Sequence, residues 1–154
     1  MLAAVDGSDN DELFELFAEI VASGEGFPQL PPLSRHDYEE SWVHVTQVVG
    51  AYADDRLVGA YYLKPNFPGR GAHIANAGYV VDRAFRRRGL GRALVEDSLI
   101  RAPALGFDAI QFNFVFASNP ARSLYESMGW KVIGRIPGAI PGDDAIAYFR
   151  AVSS

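Results

Sequence analysis

Between Arg83 and Arg92 the chain reads RAFRRRGLGR, five arginines and two glycines with no acid among them. A loop of this composition running into a helix can hold a phosphorylated ligand. Backbone N–H groups at a helix start lack internal partners and together carry about half a unit of positive charge, so anions bind there. Gly89 and Gly91 remove Cβ atoms and let a diphosphate reach the main chain. Each guanidinium adds a charge-assisted hydrogen bond worth about 1.5–3 kcal/mol. For an arbitrary glycine pair the better interpretation is a tight turn under solvated arginines; the density of arginine here shifts the balance toward ligand binding.

The rest of the chain sharpens this. Of 154 residues, 14 are basic and 19 acidic, a net charge of −5, and outside the arginine turn nine basic residues face nineteen acidic ones. A single positive turn on an acidic chain with two lysines suits a small polyanion, and argues against nucleic acid, which requires a basic face. Cysteine is absent, which removes a disulfide framework, a thiolate nucleophile and a sulfur-ligated metal. The three histidines are scattered, so no metal site is expected. The apolar start, Met1 to Val5, is broken at Asp6, and no apolar run of about 18 residues follows. No leader and no membrane span are expected, and the cytoplasm is the expected compartment. Nothing in the sequence specifies an oligomeric state.

The elements that must position the turn follow from periodicity. The length suits one domain over residues 1–154. After a short strand at Leu2 to Val5, Leu13, Phe14, Phe17, Ile20 and Val21 recur at helical spacing behind acids. A glycine- and proline-rich loop follows, and Ser34 with Asp37 three residues on opens a second helix to about Val45. Two β-rich runs flank Asp54-Asp55, a hairpin signal ended by Pro65. AHIANAGYVV reads as a strand leading into the arginine turn. Leu90, Leu94, Val95 and Leu99 then lie along one helix face stopped by Pro103 and Gly106. DAIQFNFVF reads as a strand, NPARSLYESMG as a short helix, and WKVIGRI and DAIAYFRAV as strands around a PGAIPGD loop. The order is mixed α/β, and the loops near 23–33 and 136–143 are expected to border a site.

Two phosphate-binding classes compete at the turn. GLGRAL overlaps a dinucleotide fingerprint with Leu94 in its last place, and Asp108 lies where an acid could hold a ribose. Yet the glycines come several residues after Val81, where the strand is expected to end, and the repeated βαβ halves of a dinucleotide fold are missing. The alternative is a resemblance. Arg86-Arg87-Arg88-Gly89-Leu90-Gly91 matches RxxGxG, the acyl-CoA diphosphate motif of the GNAT superfamily of N-acetyltransferases, and it follows the strand GYVV. NPARSLYESMGW is similar to that family's segment in which an asparagine precedes a short helix with a leucine-tyrosine pair and a glycine-aromatic end: Asn119, Leu124, Tyr125, Gly129 and Trp130. The resemblance spans residues 2 to 152. One departure is that many relatives place the asparagine seven residues before the tyrosine; here Asn119 stands six before and Ser118 takes the seventh place. Local physics makes Asn119 the helix N-cap, with Pro120 at the first helical position.

The resemblance implies a central, mostly antiparallel sheet splayed at its fourth strand and flanked by helices. It implies acetyl-CoA in the splay, with pantetheine on the backbone of Tyr79, Val80 and Val81, and diphosphate on Arg86, Arg87, Arg88, Gly89, Leu90, Gly91 and Arg92, with Asn119 nearby. Tyr125 becomes the general acid for the leaving thiolate, although Ala121, Leu124, Tyr125 and Met128 equally form an apolar core stripe. The implied reaction transfers acetyl to a primary amine, small molecule or peptide, by direct attack. An amine with a pKa near 10 must first lose a proton, and candidates to accept it are His73, Glu25 or a water held by Asn76 or Asn113. By alternation His73, Ala75, Ala77, Tyr79 and Val81 share one face of their strand and Asn76, Gly78 and Val80 the other. Asn113, between Phe112 and Phe114, is expected to need polar partners if its strand is buried, either in a ligand or across the splayed strands. A non-catalytic acyl-CoA-binding sensor and, more remotely, a dinucleotide-dependent oxidoreductase remain the alternatives.

Overall fold

Asp54 and Asp55 both adopt left-handed backbone, φ 50° and 63°, the geometry of a two-residue turn whose twist matches the flanking strands. That turn joins β2 (Gln47–Ala53) to β3 (Arg56–Pro65). In a computed structural model, which describes residues 1–152, these strands belong to a seven-stranded sheet with β1 (Leu2–Val5), β4 (Ile74–Val81), β5 (Ala109–Phe116), β6 (Lys131–Ile140) and β7 (Asp143–Ala151). Its order is β1-β2-β3-β4-β5-β7-β6. All neighbours run antiparallel except β4 and β5. Helices α1 (Asp11–Ser23) and α2 (Arg35–Trp42) cover one face, and α3 (Leu90–Ala104) and α4 (Arg122–Ser127) the other.

The expected splay is present. β4 and β5 pair only at Ile74↔Ala109, Ala75↔Ile110 and Asn76↔Gln111, and each then continues unpaired toward the other. Asn76 sits at the fork: its Nδ2 donates to the Gln111 carbonyl at 3.1 Å and its Oδ1 accepts from the Tyr62 hydroxyl at 3.3 Å.

Two cores hold the layers. Leu94, Val95 and Ala102 of α3 pack with Phe112, Trp130 and Tyr148, where Phe112 and Trp130 stack at 4.9 Å. Leu13, Phe17 and Trp42 pack with Tyr62 and Val80 on the opposite face. β4 therefore turns Ala75, Ala77, Tyr79 and Val81 toward α3, and Gly78 and Val80 toward α1 and α2. Gly78 has no room for a side chain, because a Cβ there would stand 2.6 Å from the Tyr62 ring.

The helix starts follow the sequence. Asn10 Oδ1 accepts from the Leu13 amide at 2.9 Å and Ser34 Oγ from the Asp37 amide at 3.0 Å. Several ends differ. α2 stops at Trp42 instead of Val45, since the His44 amide turns back to the Glu39 carbonyl at 2.8 Å and a β-branched run follows. α3 passes through Pro103 and ends one residue beyond it, at Ala104. Residues 136–140, expected as loop, continue β6 through a register shift against β7 and stay outside the cleft described below. Among the described residues no helix is long and apolar enough to cross a membrane.

Buried phenols give the fold a pH limit. Desolvation is the leading cause that pushes Tyr38 and Tyr62 up to about 12, whereas a phenol in an unfolded chain titrates near 10. Above about pH 10 the unfolded chain ionises these groups and the folded chain does not, so the stabilisation they give below that pH declines as pH rises toward 12. The melting temperature is expected to hold to about pH 9 and fall steeply between about pH 10 and 12. A flat profile by calorimetry across that window would show that these phenols ionise freely in the fold.

Candidate active site

Where β4 and β5 part, a cleft of about 820 Å³ opens at their carboxyl ends, the position at which open α/β sheets bind ligands. Tyr79, Val80, Val81, Arg86, Arg87 and Gly91 form one side, and Phe112 to Phe116 with Ser118, Asn119 and Tyr125 form the other. The loop after α1, Gly24 to Gln29, also lines it. That loop was expected at a site and is at one.

The main chain of β4 is half-satisfied. Asn66 donates to the Ile74 carbonyl and Asp82 to the Val58 carbonyl, both at 2.8 Å. Even-numbered residues therefore direct their backbone groups at β3, and by alternation Ala77, Tyr79 and Val81 direct theirs into the cleft, where β5 has moved away. Of the expected pantetheine contacts, Tyr79 and Val81 present backbone to the cleft. Val80 lines it with its side chain, because its backbone belongs to the ladder with Ala60.

The arginine turn continues this unpaired edge. Asp82 caps a 3-10 turn over Arg83–Phe85 by accepting from the Ala84 amide at 2.9 Å. Arg87 and Gly89 then take left-handed backbone, φ 63° and 80°, which turns the chain sharply into α3. Among the described residues, no group accepts from the amides of residues 87–92; the first helical bond is Ala93 to the Gly89 carbonyl at 3.0 Å. A Cβ at Gly91 would meet nothing within 4 Å.

The five arginines divide. Arg86 and Arg87 line the cleft. Arg86 donates to Glu25 at 2.6 Å and to the Val81 carbonyl at 3.3 Å, and Arg83 joins the same carboxylate at 3.1 Å. Arg88 lies over the Phe85 ring at 5.0 Å, and Arg92 pairs with Glu96 at 3.8 Å. Neither Arg88 nor Arg92 lines the cleft, nor does Leu90, whose side chain packs into the core.

Tyr125 is brought opposite β4. Its ring packs against Phe112 at 4.6 Å, Trp130 at 6.0 Å, and Tyr79 and Tyr148 at 6.2 Å. The core stripe and the site are thus the same surface. Its hydroxyl makes no hydrogen bond within the described chain while lining the cleft, and burial pushes its pKa above the ordinary tyrosine value. Tyr79 differs, since its hydroxyl is bonded to Ser98 Oγ at 2.7 Å. Asn119 is not the N-cap of α4; that place falls to Ala121. Its Oδ1 caps the preceding turn at the Ala121 amide, 2.9 Å away, because Pro120 opens a turn before the helix begins. Its Nδ2 points toward the α1–α2 loop, 3.6 Å from where a Gly26 Cβ would stand. Ser118 Oγ is engaged by Asp143 at 2.6 Å, which leaves Asn119 as the one of the pair facing the cleft with a free donor.

The base candidates separate too. His73 precedes β4, is exposed and does not line the cleft. Glu25 does, but the Arg86 guanidinium holds its carboxyl below the usual range, which makes it a poor proton acceptor. Asn113 is exposed, not buried, because β5 breaks register with β7 between Phe112 and Val115. It donates to Asn66 Oδ1 at 2.5 Å and accepts from Gln111 at 3.1 Å, tying β5 to the segment after β3. Sequence reasoning missed Gln29, Ser41 and Lys64, which also line the cleft. They lie on three separate elements, and only Lys64, one of two lysines, carried any signal.

An unpaired strand edge that runs into free helix-start amides has the hydrogen-bonding capacity to take a ligand with both amide and phosphate groups. Known proteins share this fold. The acetyltransferase (GNAT) family profile matches residues 11–130. An N-acetyltransferase of Schizosaccharomyces pombe, aca1, is 43% identical over 99 residues, covering 60% of this chain and 47% of that protein, so the chain spans about half the length of that relative. A GCN5-related N-acetyltransferase from Kribbella flavida superposes with a TM-score of 0.85 at 34% identity, over 97% of each chain. A phosphinothricin acetyltransferase from Sinorhizobium meliloti, solved in complex with AcCoA, shares the fold at a TM-score of 0.86 and 19% identity, over 99% of this chain and 88% of that one. With the profile covering most of its length and the splayed sheet in place, the chain belongs to the acetyltransferase (GNAT) family.

Proposed function

We propose that this protein is an N-acetyltransferase that moves an acetyl group from acetyl-CoA to a primary amine by direct attack. The observation that carries this reading is the cleft-facing backbone of Ala77, Tyr79 and Val81, which β5 leaves unpaired, leading to the six amides of residues 87–92, from which no group in the described chain accepts. The inward-facing groups of Ala77, Tyr79 and Val81 suit the two amides of pantetheine, as an added strand would pair. The amides beside Gly89 and Gly91, with Arg86 and Arg87, suit the diphosphate. Arg88 and Arg92 contribute at longer range, and Asn119 Nδ2 adds a donor on the opposite wall.

The acceptor amine attacks the thioester carbonyl, and the Val81 or Tyr79 N–H donates a hydrogen bond to the developing oxyanion. As the C–S bond breaks, the Tyr125 hydroxyl donates to the leaving sulfur. Because burial raises the phenol above a thiol's usual value of about 8.5, Tyr125 ends each cycle with its proton in place. An ammonium acceptor gives up two protons per turnover: one ends on the thiol and one in solvent. Glu25 is committed to arginine and His73 stands outside the cleft, so water beside Asn76 and Asn113 serves as proton acceptor.

Thermal unfolding tests this reading. Acetyl-CoA at about 100 times its dissociation constant is expected to add about 2.7 kcal/mol of stability and several degrees of melting temperature, whereas NAD adds none. A shift with NAD and none with acetyl-CoA would refute it. Thiol release from acetyl-CoA across a panel of amines then separates an enzyme from a sensor.

A further inference from the structure

Beside Asn76, the cleft holds a charge that the proposed acetyl transfer does not use. Lys64, on β3 in register with Asn76, is half-buried and lines the cleft. Its Nζ donates to the Glu40 carbonyl at 3.3 Å and stands 5.2 Å from the centre of the Tyr62 ring. Among the described residues no carboxylate lies within 4.0 Å of it, and Glu40, the acid whose field reaches it, turns its carboxylate toward His44 at 4.0 Å. Desolvation of a cation without a counter-ion is unfavourable, and it pulls the Lys64 pKa below the usual lysine value. Two further side chains with unused capacity line the same cleft. Gln29 Oε1 is buried without a partner, and Ser41, buried on α2, makes no side-chain hydrogen bond within the described chain.

The charge inventory of the walls points the same way. Besides tyrosines, the ionisable residues lining the cleft are Glu25, Lys64, Arg86 and Arg87. The single carboxylate, Glu25, is held by Arg83 and Arg86. A diamine, polyamine or basic peptide entering here meets no available anion, although the chain as a whole is acidic.

We propose that the acceptor is an amine that also bears a carboxylate or similar oxyanion, and that Lys64 binds that anion. This rests on the transfer reading above and names the substrate class for the same site. Lys64 supplies the counter-charge, Ser41 can donate beside it, and Gln29 Oε1 can accept from the amine. The competing role for Lys64 is purely structural, as a cap on the last turn of α2 through the Glu40 carbonyl.

The test pairs amino carboxylates of graded chain length with their carboxamides, and reads both kcat/KM with acetyl-CoA and direct binding by calorimetry to the free and CoA-loaded protein. Wild type is expected to favour a carboxylate over its carboxamide by about tenfold or more, Lys64→Arg to keep the preference, Lys64→Met to erase it, and Lys64→Glu to shift it toward diamines. A capping lysine alone would lower the melting temperature in Lys64→Met and leave the ratio unmoved. Equal binding of carboxylates and carboxamides throughout the series, or a preference that survives in Lys64→Met, overturns the proposal. Lys64-dependent carboxylate binding without any thiol release would uphold the anion site and refute the transfer reading instead.

Discussion

Gly91→Glu is expected to leave the protein folded, with an unchanged or slightly higher melting temperature, and to weaken acetyl-CoA binding by about a hundredfold or more. The two halves of this expectation come from one fact: a Cβ at Gly91 meets nothing within 4 Å in the protein. In the proposed reading, the diphosphate takes the space that the chain leaves empty beside the unpaired amides. Replacing glycine in a helix with a good helix former gains about 0.5–1 kcal/mol, and a carboxylate in the first turn of α3 also suits the helix dipole. Stability therefore gives no reason for glycine here. Against a diphosphate the same side chain occupies the approach to the amides and repels the phosphates, at a loss equal to about two charge-assisted hydrogen bonds. Calorimetric titration alongside a melting curve reads both quantities. Unchanged affinity in a folded variant would remove the arginine turn from the binding site.

Tyr125→Phe is expected to lower kcat by about 10²–10³-fold while acetyl-CoA affinity and melting temperature stay as in wild type. The hydroxyl has no partner in the described chain, so its removal orphans nothing, and the ring contacts with Phe112, Tyr79 and Trp130 remain. What disappears is a neutral donor aimed into the cleft. Because burial raises its pKa above the ordinary tyrosine value, the group stays protonated over the usual assay range, and the loss is expected to be the same at about pH 6 and pH 9. Full turnover in the variant would reduce Tyr125 to a core residue.

The degree to which each residue was legible follows from the range of the interactions that place it. The cap at Ser34, the Asp54-Asp55 turn and the glycine-arginine loop depend on neighbours a few residues away, so spacing alone locates them. Misplaced ends, such as α2 stopping at Trp42 and α4 starting two residues beyond Pro120, lie where one backbone bond decides between helix and turn. Asn113, between two aromatic residues, was expected to need polar partners if its strand were buried; a break in register with β7 between Phe112 and Val115 leaves it exposed and bonded to Asn66. A register shift in one strand is invisible until its partner is known.

Chain chemistry alone determined that a concentrated positive turn precedes a helix, that cysteine plays no part, and that an asparagine precedes a short, tyrosine-bearing helix after a strand. Only the folded arrangement decided which of those groups meet. It separated Arg86 and Arg87, which line the cleft, from Arg88 and Arg92, which do not, and it committed Glu25 to Arg86. It brought Tyr125 across from the inward-facing backbone of Tyr79 and Val81, and set Lys64 at the far end without a counter-ion. The reason is that helix starts and glycine turns are properties of adjacent residues, whereas a cleft exists only where β4 and β5, about 35 residues apart in the chain, pair for three residues and then diverge.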